Sequence, residues 1–169
     1  MKLNKNLILI GMMASGKSTI GRLLAKRLGL KFFDVDFIIE KKLNMKISQI
    51  FEKKGEAIFR GLERKVSLGL LKKKNCIISF GGGSFLNKRI RNATKKHGVT
   101  IWLNWNSKTL IDRIRKKNSK RPVASKLSDI ELKELLISRS KIYSKAKYKI
   151  ECENMVKSEI VNKIIDISK

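Results

Sequence analysis

Nine consecutive residues, Gly11-Met12-Met13-Ala14-Ser15-Gly16-Lys17-Ser18-Thr19, carry the spacing G-x-x-x-x-G-K-S. Glycines in such a loop let the main chain turn its N–H groups inward, and a helix starting at the lysine adds the positive end of its dipole. The segment is therefore suited to surround phosphate oxygens. The expected contacts are the backbone N–H groups of Ala14, Ser15, Gly16, Lys17, Ser18 and Thr19. Lys17 would set a point charge near the β- and γ-phosphates, and the Ser18 hydroxyl can take one position on Mg²⁺. The chemistry implied is binding of a nucleoside triphosphate.

A phosphate loop does not name a second substrate, so other reactive residues must. Asp34-Val35-Asp36 stands at the carboxyl end of a predicted second strand, where open parallel sheets bind ligands, and strand alternation would bring both carboxylates to one side. One of them could hold a Mg²⁺-bound water and the other accept a proton from a hydroxyl. Gly81-Gly82-Gly83 follows a third predicted strand and lets backbone approach a ligand closely, unless it is an ordinary flexible turn. Arg60, Arg121 and Arg139, with Arg113 and Arg115 as weaker candidates, stand out in a chain that mostly uses lysine. A guanidinium grips a carboxylate or phosphate through a planar fork that an ammonium lacks, whereas any one arginine taken alone reads as a solvated helix face.

These residues need elements to hold them. Leu7 to Ile10 is a short apolar run suited to a buried parallel strand, and Ile20, Leu23, Leu24 and Leu28 recur at helical spacing until Gly29 can cap the helix. Lys31 to Asp34 reads as a strand, and 37–71 as helix with interruptions near Asn44 and Gly55. Further strands are predicted at 76–80, 99–103 and 148–152. Ser128-Asp129-Ile130-Glu131 has capping-box spacing ahead of a helical run. The basic stretch from Lys116 to Lys126 lacks periodicity, contains the only proline, Pro122, and reads as a loop of lid length. Strands alternating with helices predict an α/β protein, a parallel sheet in three layers.

The 169 residues suit one domain with one real core, 42% of them hydrophobic. A net charge of +26 suggests nucleic acid when read alone, but the lysines are scattered and no arginine-rich or aromatic-interleaved patch occurs. No specific nucleic-acid partner is expected, and no membrane, because no apolar run approaches a spanning length. Cys76 and Cys152 lie far apart without metal-ligand spacing, which fits a reducing cytoplasm.

Taken in order, the phosphate loop, Asp34-Val35-Asp36, Ile47, Ile50-Phe51, Gly55-Glu56, Phe59-Arg60, Glu63, Ser79-Phe80-Gly81-Gly82-Gly83, Arg121-Pro122, and Arg139 four residues before Tyr143 resemble the shikimate kinases, P-loop enzymes of the nucleoside-monophosphate-kinase-like group, over nearly the whole chain. The resemblance implies a five-stranded parallel sheet, a substrate-binding region at about 34–63, a mobile lid at about 116–126, and a monomer using ATP and Mg²⁺ to make shikimate 3-phosphate on the route to chorismate and aromatic amino acids. It implies that Asp36, Arg60, Gly81, Gly82, Gly83 and Arg139 hold shikimate, with Asp36 on the reacting hydroxyl. Ser18 and Asp34 would serve Mg²⁺, Lys17 the phosphates, and Arg121 the ATP and the transferring group. Three departures are visible: Ala14 where the family often has glycine, Val123-Ala124 where leucines usually follow Arg121-Pro122, and no matching basic residue near Asn154-Met155-Val156, where the family contacts adenine. The alternatives are a gluconate or nucleotide kinase on the same scaffold and, from another class, a basic P-loop protein that binds nucleic acid.

Overall fold

The computed structural model describes residues 5–116, 124 and 127–168. Its centre is a five-stranded parallel sheet in the order β2-β3-β1-β4-β5, built from β1 (Asn6–Ile10), β2 (Lys31–Asp34), β3 (Cys76–Ser79), β4 (Gly98–Asn104) and β5 (Tyr148–Glu151). Helices α1 (Lys17–Leu28), α2 (Val35–Leu43), α3 (Ile47–Leu71), α4 (Lys88–His97), α5 (Ser107–Lys116) and α6 (Asp129–Tyr143) lie between the strands, and α7 (Lys157–Asp166) follows the last one.

The continuous apolar runs of the inner strands follow from burial on both faces. Along β1, Ile8 and Ile10 join Ile78 and Trp102 in one core, which α2 to α6 cover with Ile39, Phe59, Ile90, Leu110 and Leu136. Leu7 and Leu9 point the other way with Ile77, Ile101 and Leu103, and pack against Leu24 of α1 and Ile160 and Ile164 of α7. Strand alternation thus assigns neighbouring residues to different layers. Each fully buried Leu or Ile in these cores contributes about 1.5–3 kcal/mol.

The helix ends follow local chemistry. Gly29 takes a left-handed φ of 66° after α1, and Asn44 does the same at 50° after α2. Within α3, Gly55 has φ 82° and ψ 162°, so the helix is two segments meeting at a break. The predicted capping box is present at α6: Ser128 Oγ accepts from the Glu131 N–H at 3.3 Å, while Glu131 Oε2 accepts from the Ser128 N–H at 2.7 Å. No helix among the described residues is long and apolar enough to cross a membrane.

Pairing of β1 with β3 decides where the chemistry sits. Leu9 lies opposite Ser79, and the Phe80 N–H donates to the Leu9 carbonyl at 3.1 Å just beyond the ladder. The Gly11–Thr19 loop leaves one of these strands and the triple glycine leaves the other, so the two loops emerge side by side at the carboxyl edge of the sheet.

Candidate active site

The loop after β1 turns through left-handed backbone at Ala14 (φ 66°) and Gly16 (φ 88°) before α1 begins. Gly16 adopts this conformation without penalty, whereas Ala14 carries a Cβ that opposes it. Lys17 Nζ donates to the carbonyls of Gly11 at 2.9 Å and Met12 at 2.8 Å, so the ammonium lies folded over the loop. Ser15 is buried and Thr19 opens α1 beside Ser18.

Ser18 Oγ donates to Asp34 Oδ2 at 2.5 Å, while Asp34 Oδ1 accepts from the Phe37 N–H at 3.3 Å. Asp34 therefore ends β2 and caps α2, and Asp36 lies in the first turn of that helix. The expectation that strand alternation aligns the two carboxylates is corrected here: a helical turn brings both to the same cavity, because the Asp34 side chain nucleates a helix directly. The hydroxyl and carboxylate together form a two-oxygen donor pair of the kind Mg²⁺ takes alongside phosphates and waters.

Asp36 Oδ1 is buried and has no hydrogen-bond partner. Burial, and then the neighbouring Asp34 and Glu63 carboxylates, push its pKa up to about 7, against the opposing pull of Lys17 and Arg60. Glu63, only 3% exposed, is a hub that accepts from Arg60 Nη1 at 2.8 Å and from Ser84 Oγ at 2.8 Å. Arg60 also donates to Glu56 Oε1 through Nε (3.1 Å) and Nη2 (3.0 Å), and its guanidinium lies 5.9 and 5.2 Å from the ring centres of Phe51 and Phe59. Lining the same cavity is Arg139, 8% exposed, with Nη1 3.5 Å from Met12 Sδ and with a buried, unpartnered Nε. Tyr143, one turn further on, donates its hydroxyl to the Gly82 carbonyl.

The triple glycine is needed for space. None of the three has a positive φ, but a Cβ at Gly81 would stand 2.5 Å from Asp36 Oδ1 and 2.6 Å from Glu63 Oε1, and one at Gly83 would collide with the Arg60 guanidinium. A Cβ at Gly82 would lie 3.3 Å from the Met13 N and 3.7 Å from Arg139 Nη1. The reading as a flexible turn gives way to close packing of backbone against charged side chains.

Lys17, Ser18, Asp34, Asp36, Arg60, Gly82, Gly83 and Arg139 all line one cavity of about 520 Å³. Arg115 is elsewhere, tying α5 to the start of α6 through Asp129 at 2.8 Å and the Leu127 carbonyl at 2.6 Å. Arg121 and Pro122 lie outside the described residues, and of the expected lid only Lys116 and Ala124 are described. On the far side of the phosphate loop a second cavity, of about 1020 Å³, is bounded by Thr19, Leu23, Trp105, Arg113, Met155 and Val156. Sequence reasoning assigned no role to Glu63 or Trp105 and left Arg113 as a weak candidate. Glu63 had a signal, its i+3 spacing from Arg60 on one helix; Trp105 had none, being ninety residues from its partner Ser15.

A family model described as shikimate kinase matches residues 13–169. The chain belongs to the shikimate kinase family. The shikimate kinase of Sulfurihydrogenibium sp. (strain YO3AOP1) is 39% identical over 161 residues, covering 95% of this chain and 96% of that one. The structure of the Acinetobacter baumannii shikimate kinase in complex with shikimate superposes with a TM-score of 0.90 at 32% identity, covering 96% of this chain and 92% of that one. A gluconokinase from Sinorhizobium meliloti 1021 superposes at 0.60 with 12% identity, over 99% and 95% of the two chains, which is a likeness of fold alone.

Proposed function

We propose that this shikimate kinase family member transfers the γ-phosphate of ATP to a hydroxyl of shikimate, giving ADP and shikimate 3-phosphate. The observation that carries the proposal is one cavity lined by Asp36, whose buried Oδ1 has no hydrogen-bond partner, by the Lys17 ammonium and by two guanidinia, Arg60 and Arg139. A small, neutral polyol could accept a hydrogen bond from Arg139 Nε but would leave its buried charge uncompensated, whereas a carboxylate satisfies both.

In the proposed reaction, N–H groups of Ala14 to Thr19 hold the phosphates and Lys17 balances charge on the β- and γ-oxygens. The acceptor carboxylate lies between Arg60 and Arg139, with the backbone of Gly82 and Gly83 forming the floor. In that pose a ring hydroxyl would stand against Asp36. As the hydroxyl oxygen bonds to the γ-phosphorus and the bond to the bridging oxygen of ADP breaks, the hydroxyl proton passes to Asp36. A carboxylate whose pKa is near 7 can take that proton and release it at neutral pH. Arg121 would add its guanidinium to the phosphoryl oxygens. Ser18 and Asp34 would hold Mg²⁺, which would supply positive charge to offset that of the phosphate oxygens.

The test is ADP release by the purified protein with ATP and, separately, shikimate, gluconate and deoxynucleosides. Turnover is expected with shikimate alone. Equal turnover with gluconate, or none with shikimate, rejects the assignment of Arg60 and Arg139 to a ring-bound carboxylate.

A further inference from the structure

Trp105 stands between the end of β4 and the start of α5 and touches both halves of what the proposed function makes the ATP site. Its indole Nε1 donates to the Ser15 carbonyl at 3.0 Å. Its ring lies under Arg113, whose guanidinium carbon is 3.7 Å from the ring centre, a stacking distance. Trp105 and Arg113 also share walls of the 1020 Å³ cavity with Leu23 and Val156, a mostly apolar space beside the phosphate loop.

The hydrogen bond has a geometric consequence. The Ser15 carbonyl and the Gly16 N–H belong to one peptide unit, and in a trans peptide these two groups point in opposite directions. No cis peptide occurs in the described chain. Fixing the carbonyl on the indole therefore fixes the direction of the Gly16 N–H, at a glycine whose left-handed φ of 88° leaves it free to turn otherwise. The stacked face does the second task. It holds the Arg113 guanidinium flat, so its planar surface, rather than a mobile side chain, meets a flat ligand in the cavity.

We infer that Trp105 is a positioning residue for both parts of the nucleotide: its N–H edge orients the phosphate loop, and its face orients Arg113 toward the base. This rests on the reading of the loop as an ATP site and adds a link between base and phosphate recognition. Neither Trp105 task needs the acceptor half of the site.

Calorimetric titration of ATP and of inorganic tripolyphosphate, a ligand with the same phosphate chain and no base, separates the two tasks. Trp105→Phe keeps an aromatic face and removes the donor, and should weaken both ligands about three- to tenfold. Arg113→Lys keeps the charge and removes the plane, and should weaken ATP by a similar factor while leaving tripolyphosphate unchanged. Shikimate affinity should stay at its wild-type value in both variants, which a general loss of structure would not allow. Unchanged tripolyphosphate binding in Trp105→Phe overturns the loop-orienting role, and equal losses of both ligands in Arg113→Lys overturn the base-directed one. If Trp105→Phe lowers Tm and shikimate affinity together with the rest, Trp105 is a structural residue and the inference fails. Failure of the wild-type protein to bind either phosphate ligand would instead reject the ATP site itself.

Discussion

The two ends of the site recognise by different physics. At the acceptor end, Asp36, Arg60, Glu63 and Arg139 are buried or partly buried ionisable groups; side-chain hydrogen bonds tie Arg60 and Ser84 to Glu63, while Asp36 Oδ1 and Arg139 Nε are left open. At the nucleotide end, the phosphate contacts are expected from backbone N–H groups, and the adjoining cavity is walled mainly by apolar and stacked groups. A buried polar group left unpaired by the wrong ligand costs far more than a missing apolar contact. Acceptor choice should therefore be strict and nucleotide choice more permissive.

The largest effect should come from Asp36→Asn, which removes the proton acceptor and should lower kcat by about a hundredfold or more, measured by coupled ADP release. In the wild type, kcat/KM should climb as pH rises through about 7, because the carboxyl must first lose its proton. Stability should move the opposite way. Between the ordinary value of 3.8 and the folded value of about 7, the unfolded chain has released a proton that the folded chain still holds, so folding stability falls with rising pH across that window. Asp36→Asn should relieve this cost, with a gain in denaturant titrations that grows from pH 4 to 7 and then levels off, on the order of 2–4 kcal/mol. A flat difference across that range would mean that Asp36 is not held protonated by its surroundings.

A smaller change should separate the two ends. Arg139→Ala should weaken shikimate binding by about 1.5–3 kcal/mol, ten- to a hundredfold or somewhat more, with ATP affinity nearly unchanged by calorimetry. Equal weakening of both ligands would erase the proposed division of labour.

The smallest effect should fall on the backbone of the phosphate loop. Ala14 sits at φ 66°, so Ala14→Gly relieves a strained conformation at the cost of a more flexible unfolded chain. The net gain should be under about 1 kcal/mol, a rise in Tm of about 2–4 °C at most for a chain of this size. A fall in Tm would mean that the Ala14 methyl packs more usefully than its backbone is strained.

Much of this was legible from residue order because the informative signals are local. The strand runs, the Gly29 cap, the breaks at Asn44 and Gly55 and the Ser128 capping box each depend on a few neighbouring residues, and each appears near its expected place. Asp36 was misplaced onto a strand because Asp34 serves as strand end and helix cap at once, a coincidence that alternation cannot reveal. The reason for the triple glycine was also hidden. It lies in the Asp36, Glu63 and Arg60 side chains occupying the space of the missing Cβ atoms, contacts made across eighteen or more residues of chain. The pairing of Trp105 with Ser15 is non-local in the same way.

The adjacency of β1 and β3 acts as a ruler. Neighbouring strands lie about 4.8 Å apart, a spacing set by main-chain hydrogen bonds rather than by side chains. The phosphate loop leaves one strand and the glycine floor leaves the other, so the gap between donor and acceptor is gauged by the sheet and survives changes of side chain around it. A scaffold with this property can be given a new acceptor by rewriting α3, the helix that carries Arg60 and Glu63, without recalibrating the distance over which a phosphoryl group must travel.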